Sequence, residues 1–296
     1  MEKIKDFISL MRPKQWFKSF YIVLGTVPAI LLNPVRLDTL VILLLAGIFN
    51  MILIQGVMYV TNDVADVEKD RMHPKKRKRP IASRKISVSE AVAFGLILFL
   101  SAVALAAFLD FRIILIDVAL FLNNILYSFR PTRLRDVAYI DVGSVALNFP
   151  LRVMVGWFLF EPYNHLRLDL LVPMILLTYF FAVFLLSLKR IAEKRNLKNA
   201  KKFRKSLERY TVGKLKAIAI FSSIIVSISF VFFAWNLKPV LVILYPYVFF
   251  MMYWYSRLAF SKNSVAMAPE EIFLKMPKFT LAMIVLCLSV LLILLL

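Results

Sequence analysis

The chain has 296 residues, 61% of them apolar, with a mean hydropathy of +0.77 and a formal charge of +20. That apolar share exceeds the range of soluble globular domains, and with only seven glycines it reflects long apolar runs and not loops. One cysteine and two histidines exclude a disulfide framework, a thiolate cluster and a histidine-rich metal site, and no Ser-His-Asp or Cys-His signature is present.

A helix needs about 20 largely apolar residues to cross a bilayer. In chain order, nine stretches meet this: residues 17–34, 38–61, 89–109, 112–129, 137–160, 168–188, 216–236, 239–257 and 278–296. The first lacks a small-residue cleavage site and reads as a retained helix rather than a signal peptide. With no hydrophilic region of domain length, residues 1–296 read as one all-α, polytopic membrane domain.

The N-terminus and the loops after the second, fourth, sixth and eighth stretches, counted with the adjoining ends of the stretches, carry 33 of the 38 Lys and Arg. Only Arg36, Arg112, Arg152, Arg167 and Lys238 lie elsewhere. This asymmetry predicts a multi-pass cell-membrane protein whose N-terminus and basic loops are cytoplasmic and whose C-terminus is outside. The same loops are drawn to anionic lipid. A soluble basic module that would bind nucleic acid is not visible.

At the end of the second stretch the chain reads Asn62-Asp63-Val64-Ala65-Asp66-Val67-Glu68-Lys69-Asp70. A continuous helix would put Asn62, Asp66 and Asp70 on one face, with Asp63 close to Asp66. Oxygen-bearing side chains gathered this way repel each other unless a cation sits between them, and their chemistry suits a hard ion such as Mg²⁺. The plain alternative is a solvated helix end. A basic loop follows, Arg71 to Ser83, with Lys75 to Arg79 all basic. Acids followed closely by bases can hold a metal-complexed phosphate from both sides, or the basic run is a lipid-binding patch.

Between the fourth and fifth stretches lie Tyr127, Arg130, Arg133, Arg135 and Asp136, and Asp141 opens the next helix. Arg152 falls deep in the fifth stretch, where it needs a partner or a polar cavity, and Asp141 is the candidate about three turns away. After the sixth stretch come Lys189, Arg190 and Glu193, with Lys189 and Glu193 at i, i+4. The basic segment runs on through Arg204 to Arg209 and Tyr210, and its plain reading is a solvated amphipathic helix.

The motif at 62–70 between the second and third stretches resembles the first aspartate-rich motif of the UbiA superfamily of intramembrane prenyltransferases. Arg79-Pro80-Ile81-Ala82-Ser83 is similar to the segment that follows it there, and Arg12-Pro13-Lys14-Gln15-Trp16-Phe17-Lys18 to the N-terminal segment of one branch. The resemblance implies nine transmembrane helices around a central cavity, open laterally to lipid and capped by cytoplasmic loops. Prenyl-transferring members usually carry a second Asp-x-x-x-Asp motif after the sixth helix, where this chain has Lys189-Arg190-Ile191-Ala192-Glu193. That segment, with Asp70 to Pro80, Tyr127, Arg135, Asp141 and Tyr210, looks like the polyprenyl-phosphate phosphoribosyltransferase branch.

The branch implies transfer of 5-phosphoribosyl from phosphoribosyl diphosphate to a polyprenyl phosphate, with Mg²⁺ as cofactor and membrane lipid as partner. The extra phosphates of these substrates call for more Lys and Arg and fewer carboxylates. On this reading Asn62, Asp63, Asp66 and Asp70 hold the metal. Lys76, Arg77, Arg79, Lys189 and Arg190 take the donor phosphates. Lys14, Lys18, Tyr127, Arg135, Asp141, Arg152 and Glu193 bind the acceptor phosphate or orient the cations. The alternatives are prenyl transfer from a prenyl diphosphate to an aromatic or lipid acceptor, or, from another class, a transporter of a phosphate-containing solute. Against the transporter, the charged candidates sit mostly at the cytoplasmic edge and no internal repeat is apparent.

Overall fold

The computed structural model describes residues 2–161, 166–196, 206–261, 264–267 and 272–295. Every regular element among them is a helix. Eight helical stretches are long and apolar enough to span a bilayer, and each coincides with a stretch expected from hydropathy. The chain is a multi-pass membrane protein. The ninth expected span, 137–160, is also helical, but Asp141, Asn148 and Arg152 lower its apolarity and it falls outside that group.

A short amphipathic helix α1 (Glu2–Leu10) precedes the first span, which begins as a 3₁₀ helix at Pro13 and continues as α2 (Val23–Leu32). Proline lacks an N–H, so it opens a helix without losing a bond. Next come α3 (Leu37–Ala65), a short α4 (Val67–Arg71) and α5 (Val88–Leu109). A reciprocal capping box of Ser87 and Glu90 starts α5. Asp110 ends α5 and caps α6 (Phe111–Ser128) by accepting the N–H of Arg112 at 2.7 Å. Then follow α7 (Ile140–Phe158), α8 (Leu168–Asn196), α9 (Ser206–Arg209), α10 (Val212–Leu237), α11 (Tyr245–Ala259), α12 (Ile272–Lys275) and α13 (Pro277–Leu295).

Two compact units emerge. The first comprises residues 1–134 and 151–166, the second 135–150 and 167–296. In the first, α3 packs against α5 and α6 around Met51, Ile54, Ala102, Ala106, Ile113 and Leu120. The second half of α7 lies hard against the first span: a Cβ added to Gly25 would fall 1.9 Å from the carbonyl oxygen of Val153, and one added to Gly156 would fall 1.8 Å from that of Ile22. Only glycine permits backbones to approach so closely.

In the second unit, α8 and α10 form the dominant pair, with Leu188, Ile191, Leu215, Ala219 and Val226 buried together with Met252, Tyr255 and Phe279. The exposed surface of both units is largely apolar, including Leu45, Phe49, Leu100, Phe108, Phe232 and Trp235. Such faces suit hydrocarbon, where helices satisfy every backbone group internally.

Candidate active site

The acidic motif does not sit on one unbroken helix. The chain leaves α3 at Ala65, Asp66 takes φ −110°, ψ 5°, and α4 restarts at Val67. Asn62, Asp66 and Asp70 therefore do not share one continuous helix face, and the acids are gathered by side-chain cations instead. Asp63, 4% exposed, accepts from Arg12 Nη2 at 2.5 Å and from Arg79 Nη1 at 2.9 Å. The same Arg79 nitrogen donates to Asp70 Oδ2 at 2.7 Å, and Lys76 Nζ lies 3.8 Å from Asp70 Oδ1. Asp66 accepts from Arg133 Nη2 at 3.1 Å, while the Asn62 side-chain oxygen accepts from the Ser128 hydroxyl. The repulsion expected among these acids is thus relieved by guanidinium groups.

Two of the gripping arginines have unusual backbones. Arg12 (φ 51°) and Arg133 (φ 33°) lie in the left-handed region, which costs a non-glycine residue roughly 1–2 kcal/mol. Such conformations persist where the surroundings enforce them, and they cluster at functional sites. Neither arginine was among the candidate site residues. The available signal was only their membership in basic segments flanking the acid cluster; nothing local in sequence pairs Arg12 with Asp63 or Arg133 with Asp66.

Among the described residues, no three or more His, Cys, Asp or Glu side chains are grouped to hold a metal ion. Asp63 and Asp70 converge on Arg79, with Asp66 at the intervening helix break. Mg²⁺ typically takes one or two carboxylates and completes its shell with water and substrate phosphate. The oxygens of Asp63 and Asp70 fit that requirement, with water and substrate phosphate left to complete the shell. Lys76 and Arg77 are exposed beside this cluster, Lys14 is exposed, and Lys18 and Tyr127 are half-buried.

The second unit has its own buried charge network. Asp141 is fully enclosed, with Arg190 Nε 3.4 Å from its Oδ2. It also accepts from the Tyr210 hydroxyl and from Ser206 Oγ at 3.4 Å. Arg190, 4% exposed, donates to Glu193 at 2.7 Å, an i, i+3 pair. Lys194 Nζ donates to the carbonyl oxygen of Tyr210, whose ring packs edge-on against Tyr139 at 4.9 Å. Lys189 and Arg135 are half-buried.

Asp141 is therefore engaged by Arg190 and not by Arg152, as sequence spacing had suggested. It is Arg190, rather than Lys189, that pairs with Glu193. Arg204 lies outside the described residues.

A model of the UbiA prenyltransferase family matches residues 21–276. Decaprenyl-phosphate phosphoribosyltransferase of Mycobacterium tuberculosis is 28% identical over 214 residues, covering 71% of this chain and 68% of that protein. An uncharacterized protein of Sinorhizobium fredii, y4nM, is 33% identical over 153 residues, 52% of this chain; the matched region spans only 28% of that protein. Among solved structures, a UbiA homolog from Archaeoglobus fulgidus bound to DMAPP and Mg²⁺ superposes with a TM-score of 0.66 at 16% identity. That match covers 98% of this chain and 99% of the homolog, and it shows the fold.

Proposed function

The chain belongs to the UbiA prenyltransferase family, and on that premise we propose that this membrane transferase moves 5-phosphoribosyl from phosphoribosyl diphosphate to a polyprenyl phosphate. The observation that carries this reading is the state of the segment at 189–193. The resemblance implies that prenyl-transferring members usually carry two aspartates there; here Arg190 sits between Asp141 and Glu193 and pairs with both. Asp141 and Glu193 are thus not a spare carboxylate pair for a diphosphate-bound metal, and basic side chains prevail on the loops. A donor and acceptor with four anionic groups suit that balance better than one prenyl diphosphate does. The similarity to the mycobacterial phosphoribosyltransferase supports the same reading.

In the reaction, the C1–O bond to pyrophosphate breaks with its electron pair, and an oxygen of the lipid phosphate forms the new bond to C1. That oxygen is already ionised, so the chain needs no strong general base. Asp63, Asp66, Asp70 and Asn62 would hold Mg²⁺, which when bound neutralises charge on the departing pyrophosphate. Arg79 bridges Asp63 and Asp70 and would lend its charge to the donor phosphates. Lys76 and Arg77 supply further cationic donors to its phosphates, with Lys14 and Lys18 on the N-terminal segment of the same unit. In the second unit, Asp141 and Glu193 orient Arg190. The basic loops and N-terminus are cytoplasmic on this reading, and an enzyme reporter fused after Leu296 would be active outside and silent inside.

The deciding experiment incubates purified protein with Mg²⁺, a polyprenyl phosphate and each radiolabelled donor in turn. Label should pass from phosphoribosyl diphosphate to lipid with equimolar pyrophosphate. Turnover of geranylgeranyl diphosphate in its place would transfer the assignment to prenyl transfer, the reading favoured by the DMAPP-bound A. fulgidus fold relative.

A further inference from the structure

Among the described residues, no carboxylate pairs with Arg152. It lies in the half of α7 that belongs to the first unit, and only 8% of its surface is accessible. Its Nε is buried without a hydrogen-bond partner. A guanidinium does not give up its proton at any accessible pH, so the charge remains. A buried charge left alone is strongly unfavourable, and structures resolve this by pairing it. The missing partner is therefore an anion that the described residues do not supply.

The surroundings say what kind of anion. The titratable groups acting on Arg152 are the phenols of Tyr59 and Tyr21, both able to donate a hydrogen bond to an acceptor oxygen. The scaffold is closely packed: Val153, next to Arg152, touches the position a Gly25 Cβ would take, and Ile22, next to Tyr21, touches that of Gly156. Tyr59 lies one turn before Asp63 on α3, about 6 Å along the helix. The Arg12 guanidinium that pairs with Asp63 also stacks on the Tyr59 ring at 4.6 Å. A site on Arg152 is thereby linked through the Tyr59 ring to the acidic cluster.

The geometry points to Arg152, flanked by Tyr59 and Tyr21, as the seat of a phosphomonoester, the acidic headgroup of the polyprenyl acceptor. This rests on the reading that the acceptor is a lipid phosphate. A guanidinium fork grips two phosphate oxygens, and the phenols take others. Seated beside Tyr59, whose place on α3 is one helical turn from Asp63, the headgroup would be in reach of a sugar carbon whose diphosphate is held by the acidic cluster. A buried arginine there would also select a phosphorylated lipid over the free alcohol, because only the former cancels the charge.

The test is equilibrium binding to the full-length protein in nanodiscs, with neither Mg²⁺ nor sugar donor present. Three probes are compared: a polyprenyl phosphate, the matching polyprenol and inorganic phosphate as competitor. The wild type should prefer the phosphorylated lipid by about tenfold or more. Arg152→Met should erase that preference while leaving polyprenol binding unchanged and the melting temperature equal or higher, since an unpaired charge is gone. Arg152→Lys keeps the charge but not the fork and should retain part of the preference; it decides the matter if the methionine variant does not fold.

Unaltered preference in Arg152→Met, or in Arg152→Lys where only that variant folds, would overturn the assignment. So would equal losses for both lipids, which mark a purely structural arginine. Inorganic phosphate binding as tightly as the lipid would overturn the lipid source. Binding that behaves as expected, in a protein that transfers no phosphoribosyl group, would keep this seat and reject the donor assignment alone.

Discussion

Asp63 and Asp70, on opposite sides of the helix break at Asp66, share a single nitrogen of Arg79, at 2.9 and 2.7 Å. One guanidinium thus does in this structure what a divalent ion does in a carboxylate–metal site: it lets two buried acids lie side by side. On the proposed reading, arginine and metal would compete for the same oxygens.

Arg79→Ala follows from that competition. Removing the positive charge should tighten binding of a divalent ion about three- to tenfold, roughly 1 kcal/mol of charge interaction at a partly exposed site. Turnover should fall by about 100-fold, since a phosphate-facing cation is lost. Mn²⁺ titration followed by electron paramagnetic resonance reads the first effect and a lipid-product assay the second. Weaker ion binding in the variant would show that Arg79 and the ion do not share ligands.

Asp70→Ala and Asp66→Ala should each reduce turnover by about 100-fold or more while the extracted protein stays folded. Asp70 can be removed without orphaning Arg79, which keeps Asp63 as partner. Arg133 loses its Asp66 contact in the other variant, a cost of about 1–3 kcal/mol. Wild-type rates from both variants, with size-exclusion profiles unchanged, would remove the acidic cluster from the reaction.

In the second unit the expected phenotype is different. Asp141→Ala leaves Arg190 buried with Glu193 alone and should destabilise by about 3 kcal/mol. Tyr210→Phe deletes the hydroxyl that reaches Asp141 and should cost about 1 kcal/mol. Combining the two should cost less than their sum, because both act on one contact. Thermal melts of the four proteins complete the cycle; strict additivity would mean that the Tyr210–Asp141 bond contributes nothing. Tryptic cleavage after Arg209 should accelerate in both single variants, since α9 loses an anchor.

The glycines give a graded series. Gly25→Ala and Gly156→Ala place a methyl group against backbone carbonyls that cannot move aside, so each should abolish stable expression or cost more than about 3 kcal/mol. Gly213→Ala meets nothing within 4 Å in the first turn of α10 and should be neutral or stabilising by about 0.5–1 kcal/mol. Fluorescence-detected size-exclusion melts would rank the three, and a well-expressed Gly156→Ala protein would contradict the close approach.

The helices were readable because hydropathy and end signals are local properties. Each expected apolar stretch is helical, and the ends at Ser87, Asp110 and Thr211 carry the capping residues that elementary rules require. The acid cluster beside a basic loop was equally plain, as was the lack of a second aspartate pair near 189–193. Sequence by itself therefore determined a helical membrane protein and the chemical type of its polar end. What only the tertiary structure decided is which charge answers which. Arg12 reaches Asp63 across 51 residues and Arg133 reaches Asp66 across 67, both from left-handed backbones that no local pattern announces. Asp141 and Arg152 look matched along one helix, yet Asp141 is enclosed by Arg190, Ser206 and Tyr210 while Arg152 stands among tyrosines. Charge pairing depends on distance in space, and distance in space is set by how helices end and pack, which spacing along the chain does not contain.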